Sequence, residues 1–350
     1  MVIESKAADL AGRSETRRET ATADQTTWTG PHLLDVDTLS RDEILLILET
    51  AEGMEEVLHR RVARTPALRG VTVVNLFYEA STRTRASFEL AGKVLGADVI
   101  NVSGNGSSVE KGESLIDTVQ TLKAIGADVI VMRHPSAGAP YLAARNANAH
   151  VINAGDGWHA HPTQALLDAY TLSKAFGKRE GKATGTLEGK RILIVGDVQH
   201  SRVARSNIWA LTTLGASVTL VGPRTLMPRG LETEPEAGQT QGLPQVEVDD
   251  DLDRAIVGAD AVMALRIQTE RMRSAMLPSL REYASRYQID ATRLAKATKG
   301  APLLHPGPMN QGIEVAADVA HGPQSEVERQ VQHGVAVRMA ALYLLARTGE

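Results

Sequence analysis

The stretch VTVVNLFYEASTRTR, residues 71–85, indicates the fold of this chain, because an apolar run leads directly into hydroxyl and guanidinium side chains. The run 71–77 predicts a buried strand. A helix that begins near Thr82 would point the free N–H groups of its first turn, and the positive end of its dipole, at one spot. The alternative is a polar helix start whose arginines face water. Two adjacent cations, Arg83 and Arg85, repel each other, which favours a bound anion such as phosphate.

Strand-like runs recur along the chain and alternate with helical patterns. The predicted strands are 71–77, 98–102, 128–132, 150–153, 191–195, 217–221, 260–265 and 302–304. The predicted helices begin at a capping box on Ser40 and include 83–95, 113–125, 162–176 and a C-terminal helix at 329–348. This alternation predicts an α/β protein of two domains, each a parallel sheet flanked by helices, with interdomain helices joining them.

The domain organisation follows from these elements and from local composition. Residues 1–30 are polar and mixed in charge, which predicts a disordered tail. The first domain is predicted at 31–162 and is completed by the C-terminal helix, while the second domain is predicted at 163–328. An insertion at about 224–244 is poor in apolar residues, and the sequence assigns it no role.

Composition excludes several classes of protein. With 43% hydrophobic and 23% charged residues among 350, the chain has the make-up of an ordinary α/β enzyme. A net charge of -4 and 3% aromatic residues argue against nucleic-acid binding. The absence of cysteine excludes disulfides, thiolate nucleophiles and cysteine-ligated zinc. No run reaches the roughly 18 to 20 apolar residues of a membrane span, and no signal peptide is evident, so we predict a cytoplasmic protein without membrane partners.

Polar motifs follow several of the predicted strands, at the edge where parallel sheets bind ligands. MRHP at 132–135 and HPTQ at 161–164 would converge with residues 81–85, and GDVQHSR at 196–202 and LRIQTER at 265–271 have similar positions in the second domain. Each has a simpler interpretation: the histidines as turn residues or helix caps, and the arginines as partners in surface or interdomain ion pairs. The loop SSVEKGE at 107–113 is either solvated or closes over an anion. Complete dinucleotide and P-loop glycine patterns are missing.

Taken together, these segments closely resemble the aspartate carbamoyltransferase family, within the aspartate/ornithine carbamoyltransferase superfamily, over about residues 32–345. The segments that carry the resemblance are FYEASTRTR at 77–85, KGE at 111–113, MRHP at 132–135, NAGDG at 153–157, HPTQ at 161–164, RIQTER at 266–271 and HPGP at 305–308. The resemblance implies a transferase that converts carbamoyl phosphate and L-aspartate into N-carbamoyl-L-aspartate and phosphate in de novo pyrimidine biosynthesis.

The resemblance also implies roles for individual residues. Carbamoyl phosphate would be held by Ser81, Thr82, Arg83, Thr84, Ser107, Lys111, Arg133, His161, Gln164, Pro306 and Gly307. Aspartate would be held by Lys111, Arg202, Arg266 and Gln268. Thr84, Arg133, His161 and Lys111 would serve the reaction directly, with no metal and no cofactor. Ser107 and Lys111 would come from a neighbouring subunit of a homotrimer, and regulatory chains or dihydroorotase are possible further partners.

Two alternative functions stay open, and the sequence also suggests one ion pair that could act in domain closure. Ornithine carbamoyltransferase shares the residue 81–85 and HPTQ motifs, but a substrate with one carboxylate and a cation should not need both Arg202 and Arg266. A non-catalytic scaffold subunit of the same fold is the rival from another class. Glu79 is predicted to pair with Arg202 or Arg271 as a latch for domain closure. Gln311 stands where many relatives carry arginine.

Overall fold

The computed structural model describes residues 27–104, 113–229, 231, 243–272 and 276–348. Most of the predicted tail, the loop that holds Ser107 and Lys111, and much of the 224–244 insertion lie outside these residues. Within them the structure is α/β, with two parallel sheets flanked by helices. The predicted fold class is therefore confirmed.

The first domain contains a parallel sheet of four strands in the order β2-β1-β3-β4. Its strands are β1 (Thr72–Phe77), β2 (Asp98–Ser103), β3 (Val129–His134) and β4 (His150–Asp156). Its helices are α1 (Arg41–Leu58), α2 (Thr82–Val94), α3 (Leu115–Ala124) and α4 (Ala139–Asn146). β1 lies between β2 and β3 and is buried, so the residues that follow its carboxyl end lie in the middle of that edge of the sheet.

The second domain contains a parallel sheet of five strands in the order β7-β6-β5-β8-β9. Its strands are β5 (Arg191–Val195), β6 (Ser217–Val221), β7 (Glu247–Asp249), β8 (Ala261–Ala264) and β9 (Leu303–Leu304). Its helices are α6 (Arg202–Thr213), α7 (Leu252–Ala255), α8 (Leu280–Tyr287), α9 (Ala291–Leu294) and α10 (Ala317–Ala320). The chain passes from β5 to β6 on one side and later returns to β8 on the other side of β5. In open α/β sheets the ligand crevice forms where the connections change direction in this way, at the carboxyl ends of the strands.

Two long helices join the sheets. α5 (Pro162–Glu180) leaves β4 and packs against α6, while α11 (Val327–Ala346) returns to pack against α1, α2 and α5. Apolar residues of both sheets and of these helices belong to one continuous buried cluster, which extends from Val73 through Leu166 and Val337 to Ile192. The two helices therefore fix the sheets to a shared core, as the interdomain helices predicted from sequence should.

The ends of the predicted elements differ from the observed ends by a few residues. The capping box is present, because Glu43 N donates to Ser40 Oγ at 3.2 Å and Ser40 N donates to Glu43 Oε2 at 2.8 Å. The helix predicted at 162–176 continues to Glu180, where Gly181 in the left-handed conformation ends it. The C-terminal helix spans Val327–Ala346 instead of 329–348. β7 was not predicted, because three residues at a sheet edge carry too little pattern.

Candidate active site

A cleft of about 530 Å³ lies where the carboxyl ends of the strands of both sheets face each other. It brings together all the predicted site residues that fall within the described ranges; Ser107 and Lys111 fall outside them. The predicted residues lining the cleft are Ser81, Thr82, Arg83, Thr84, Arg133, His161, Gln164, Arg202, Arg266, Gln268, Pro306 and Gly307. The convergence expected from strand positions is therefore present.

The first wall of the cleft is the start of α2. Ser81 precedes the helix in an extended conformation, and its side chain makes no capping hydrogen bond. The N–H groups of the first turn, at Thr82 to Thr84, are among those that an α-helix leaves without an internal partner. These N–H groups and the helix dipole make this turn suited to an anion, and Arg83 adds a guanidinium to the same wall.

Arg133 lies at the end of β3, beside this helix start. Its Nη1 atom donates to the Ala154 carbonyl at 3.1 Å, and its Nε atom lies 3.4 Å from Glu79 Oε2. Burial, and then the positive charge of Arg202, lowers the pKa of Arg133 to about 9, so the side chain keeps its charge at neutral pH. The guanidinium is therefore oriented by the protein before any ligand binds.

Gly155, near the end of β4, allows two arginines to approach the backbone there. Its φ is +115°, and a Cβ atom there would lie 2.9 Å from Arg202 Cζ and 3.1 Å from Arg133 Nη1. An L side chain would be strained at this φ and would also displace the guanidinium groups. Gly155, the first glycine of the NAGDG segment, is thus required by the arrangement of the site.

His161 precedes α5 and is buried. Its backbone N–H donates to Ser206 Oγ at 2.9 Å, which connects this position to α6. Burial lowers the pKa of His161 well below its usual value, and the nearby Arg133, Arg202 and Arg338 lower it further, so the imidazole is neutral. Within the described residues its buried Nδ1 atom has no hydrogen-bond partner. A neutral imidazole with one N–H is suited to donate a hydrogen bond to a carbonyl oxygen without protonating it.

Gln164 lies in the first turn of α5 and is oriented by Asp168. Gln164 Nε2 donates to Asp168 Oδ1 at 2.9 Å, so its Oε1 atom remains as an acceptor. Asp168 also accepts from Gln330 Nε2 at 2.7 Å and from Asn207 Nδ2 at 2.9 Å. Burial raises the pKa of Asp168 to about 6 despite these bonds. Three helices, α5, α6 and α11, therefore meet at one carboxylate.

Glu79 connects the two sides of the cleft. Its carboxylate lies 2.9 Å from Arg202 Nη2 and 3.7 Å from Arg271 Nη2, in addition to the contact with Arg133. Both arginines also donate to the Gly157 carbonyl, Arg202 at 3.1 Å and Arg271 at 3.4 Å. The ion pairs predicted as a latch are present with both arginines, whereas their part in domain closure stays a prediction.

The chain after β9 forms the remaining wall. His305 Nδ1 accepts from Gly307 N at 2.8 Å, and His305 N donates to Gln330 Oε1 at 2.9 Å. The peptide between Gly307 and Pro308 is cis. Burial, and then the charges of Arg83 and Arg266, lowers the pKa of His305 to about 3. Gln311, in contrast, is exposed and contacts His321 at 3.1 Å.

Arg338 is a cleft residue that the sequence analysis missed. It lies on α11, is almost fully buried, and donates from Nη1 to Ser87 Oγ at 2.7 Å. Gly334, one turn earlier, makes room for it, because a Cβ there would lie 2.5 Å from Arg338 Nη1. The sequence analysis predicted only a C-terminal helix that completes the first domain; the signal that could have revealed the residue is a glycine four positions before an arginine on that helix.

The lining of the cleft is strongly positive. Among the described residues it contains six arginines and neither aspartate nor glutamate; the arginines are Arg83, Arg133, Arg202, Arg266, Arg271 and Arg338. Such an excess in a partly buried site costs self-repulsion, which bound anions relieve. The cleft is therefore suited to a small molecule, or a pair of molecules, with several negative charges.

Comparison with known proteins agrees with this geometry. Two family models match the chain: the aspartate/ornithine carbamoyltransferase carbamoyl-P binding domain at residues 31–174, and the Asp/Orn binding domain at residues 188–345. The chain belongs to the aspartate/ornithine carbamoyltransferase family and is therefore a transferase. The resemblance inferred from the sequence motifs is confirmed.

Individual relatives point to the aspartate branch. The aspartate carbamoyltransferase catalytic subunit of Roseiflexus sp. is 54% identical over 315 residues, which cover 90% of this chain and 95% of the relative. The aspartate transcarbamoylase of Trypanosoma cruzi in complex with N-(phosphonacetyl)-L-aspartic acid matches with a TM-score of 0.78 at 30% identity and covers 91% of this chain and 96% of its own. The ornithine carbamoyltransferase of Pyrococcus furiosus has a TM-score of 0.77 at 26% identity, covering 91% and 98%. The fold alone therefore does not separate the branches; the relatives that are about half identical to this chain are aspartate carbamoyltransferase catalytic subunits.

Proposed function

We propose that this cleft transfers the carbamoyl group of carbamoyl phosphate to the amine of L-aspartate, giving N-carbamoyl-L-aspartate and phosphate in de novo pyrimidine biosynthesis. The observation that carries this proposal is the lining of six arginines without a carboxylate among the described residues. Carbamoyl phosphate brings a phosphate, and aspartate brings two carboxylates. Their combined negative charge is opposite in sign to the positive charge of the lining and complements it.

The first substrate is assigned to the wall formed by α2. The phosphate would accept hydrogen bonds from the first-turn N–H groups of α2 and from Ser81 and Arg83. The carbamoyl carbonyl would face Thr84, Arg133 and His161, and its amide would donate to Gln164 Oε1 and to the carbonyls after His305. Ser107 and Lys111 of a neighbouring subunit are proposed to complete the site.

Electrostatic stabilisation and positioning are proposed to supply most of the rate. The unprotonated amine of aspartate attacks the carbamoyl carbon, and negative charge develops on the carbonyl oxygen. Thr84, Arg133 and neutral His161 would donate hydrogen bonds to this oxygen, and each such donor contributes about 10² to 10³ in rate in other enzymes. Phosphate then leaves with the bonding electron pair and can accept the amine proton, so no protein nucleophile is required.

The aspartate carboxylates are assigned to the second domain. Arg202 at the start of α6, and Arg266 and Gln268 on the segment after β8, line this side of the cleft. An ornithine side chain would need a carboxylate for its ammonium group; the described lining provides none, and the nearby Glu79 is already paired with lining arginines. The geometry therefore favours aspartate over ornithine as the acceptor.

Phosphate release by the purified chain tests this function. Carbamoyl phosphate is supplied with either L-aspartate or L-ornithine, and the product is identified by mass. Aspartate-dependent release of phosphate with formation of N-carbamoyl-L-aspartate supports the proposal. Release with ornithine alone would overturn the assignment of Arg202 and Arg266, and no release with either acceptor would favour a scaffold subunit.

A homotrimer with shared active sites is part of the proposal. β2 is an edge strand of the first sheet and carries the exposed Ile100, and Leu90 on α2, the helix that packs against β2, is exposed as well. Such an edge favours contact with another chain. Mixing two inactive variants, Ser81→Ala and Lys111→Ala, should restore part of the activity if one site draws on two subunits. No recovery at any mixing ratio would argue for self-contained sites.

The remaining sequence predictions stay proposals. They are the division into 31–162 with the C-terminal helix and 163–328, a cytoplasmic location, and possible association with regulatory chains or dihydroorotase. In the described part of the chain, no helix is both long and apolar enough to cross a membrane.

A further inference from the structure

Two aromatic rings meet across the boundary between the domains. Trp158 lies on the loop between β4 and α5, and His200 lies on the loop between β5 and α6. Their ring centroids are 4.9 Å apart and the planes are perpendicular, which is the favourable edge-to-face arrangement. Trp158 is 44% exposed, whereas His200 is 3% exposed, so the tryptophan covers a histidine that is otherwise part of the interior.

The His200 ring has a fixed orientation. Its Nδ1 atom donates to Asp197 Oδ1 at 2.8 Å, and its backbone N–H lies 3.3 Å from the same oxygen. The Asp197 side chain is completely buried. Because this carboxylate holds the imidazole of His200, the orientation of the ring toward Trp158 is set by a residue of the second domain.

The backbone of His200 orients two cleft residues. Its carbonyl accepts from Gln268 Nε2 at 3.0 Å and from Arg271 Nη1 at 3.2 Å. Asp197 Oδ2 also accepts from Gln268 N at 3.4 Å. His200 therefore contacts Trp158 with its ring and, through its carbonyl, holds Gln268 and Arg271 on the acceptor side of the cleft.

The chain next to Trp158 contacts the same group from the first domain. The carbonyl of Gly157 accepts from Arg202 and from Arg271. Residues 157 and 158 thus contribute a polar and an aromatic contact side by side. Both contacts depend on the relative position of the two domains, because residues 157 and 158 follow a strand of the first sheet and the residues they contact follow strands of the second.

We propose that Trp158 is a positioning residue for the amino-acid acceptor: its ring, packed on His200, sets Gln268 and Arg271 against the carbamoyl-phosphate side of the cleft. This inference rests on the proposed function. Trp158 acts through His200 and is not itself assigned to the substrates. Loss of the ring should therefore weaken use of aspartate while carbamoyl phosphate, bound by α2 and β3, is little affected.

Steady-state kinetics of Trp158→Ala, Trp158→Phe and wild type test the proposal. Since edge-to-face pairs carry a modest energy, Trp158→Ala should raise the KM for aspartate about threefold to tenfold, with the KM for carbamoyl phosphate within about twofold. Trp158→Phe keeps an aromatic edge and should restore most of the loss. Leu142→Ala, which shortens a side chain of similar exposure on α4, is the matched control and should change neither KM.

A double variant tests the path through His200. If Trp158 acts through that ring, Trp158→Ala should add little to the aspartate KM of His200→Ala, whereas independent effects multiply. Multiplying effects, an unchanged aspartate KM in Trp158→Ala, or equal rises in both KM values with a lower Tm would overturn the positioning role. Wild-type protein without aspartate-dependent turnover would instead overturn the proposed function, and this inference with it.

Discussion

Replacement of Glu79 by glutamine is the sharpest test of how the cleft is held together. Glu79 is the carboxylate shared by Arg202 at 2.9 Å, Arg133 at 3.4 Å and Arg271 at 3.7 Å, and its side chain is 21% exposed. Glutamine keeps the shape and can still accept a hydrogen bond, but it removes the charge. The variant therefore isolates the electrostatic part of the contact.

The size of the effect follows from these distances. At an effective dielectric constant of about 20, opposite unit charges roughly 3 Å apart attract by about 5 kcal/mol before desolvation is subtracted. Truncating one partner of such a pair costs about 2 kcal/mol or more in net terms. Because two of the three arginines belong to the acceptor side, we expect kcat/KM for aspartate to fall about thirtyfold, at 1.36 kcal/mol per factor of ten.

Initial rates with each substrate varied in turn measure this effect. The KM for carbamoyl phosphate should rise by no more than about threefold, through the weaker contact with Arg133. Glu89→Gln is the control, because Glu89 pairs at 2.6 Å with Lys93 on the outer face of α2. Equal losses for both substrates, or no loss for aspartate, would refute the assignment of Glu79 as a link between the two sides.

Three further predictions concern the cleft and its lining. Arg338→Met should raise the KM for carbamoyl phosphate about tenfold yet leave the free energy of unfolding equal or higher, because the burial that lowers the pKa of this cation to about 10 outweighs its attraction to Asp168; calorimetry and initial rates check both. Gly155→Ala should cost about 1–3 kcal/mol of stability in chemical denaturation and most of the activity, whereas Gly181→Ala, at φ +70° with open space around it among the described residues, should keep the activity. In the unfolded chain His305 has a pKa of about 6.5, whereas in the folded chain its pKa is about 3. The free energy of unfolding should therefore rise with pH between these two values. His305→Asn should remove about 1.4 kcal/mol per pH unit from that slope, as measured in denaturation curves.

The sequence predicted the sheets well because each strand is a compact apolar run. The strands at 191–195 and 217–221 begin and end where predicted, and β1 differs by one residue. The edge strand β7 has no such run, since it is short and half exposed, and it was missed. Strand prediction therefore succeeded where an apolar run marks the strand, including the exposed edge strand β2, and failed at β7, where no such run exists.

The site was predictable where residues follow strands in a local motif. Arg133 and His161 could be assigned to one crevice because parallel strands end at one edge. Arg338 could not, because its position depends on how a helix far along the chain returns to the first domain. The Trp158–His200 contact is likewise invisible in sequence, since neither residue type signals a neighbour in another domain.

The carboxylate of Asp168 has a mechanical consequence. Gln164, Asn207 and Gln330 approach it from three helices, and Gln330 also holds the chain at His305. These bonds are directional and buried, so stretching any of them leaves a polar group without a partner. A change in the angle between the sheets is therefore cheapest as a rotation about this point. Asp168 would be the pivot of such a motion, and the rim of the cleft, farthest from it, would travel the greatest distance.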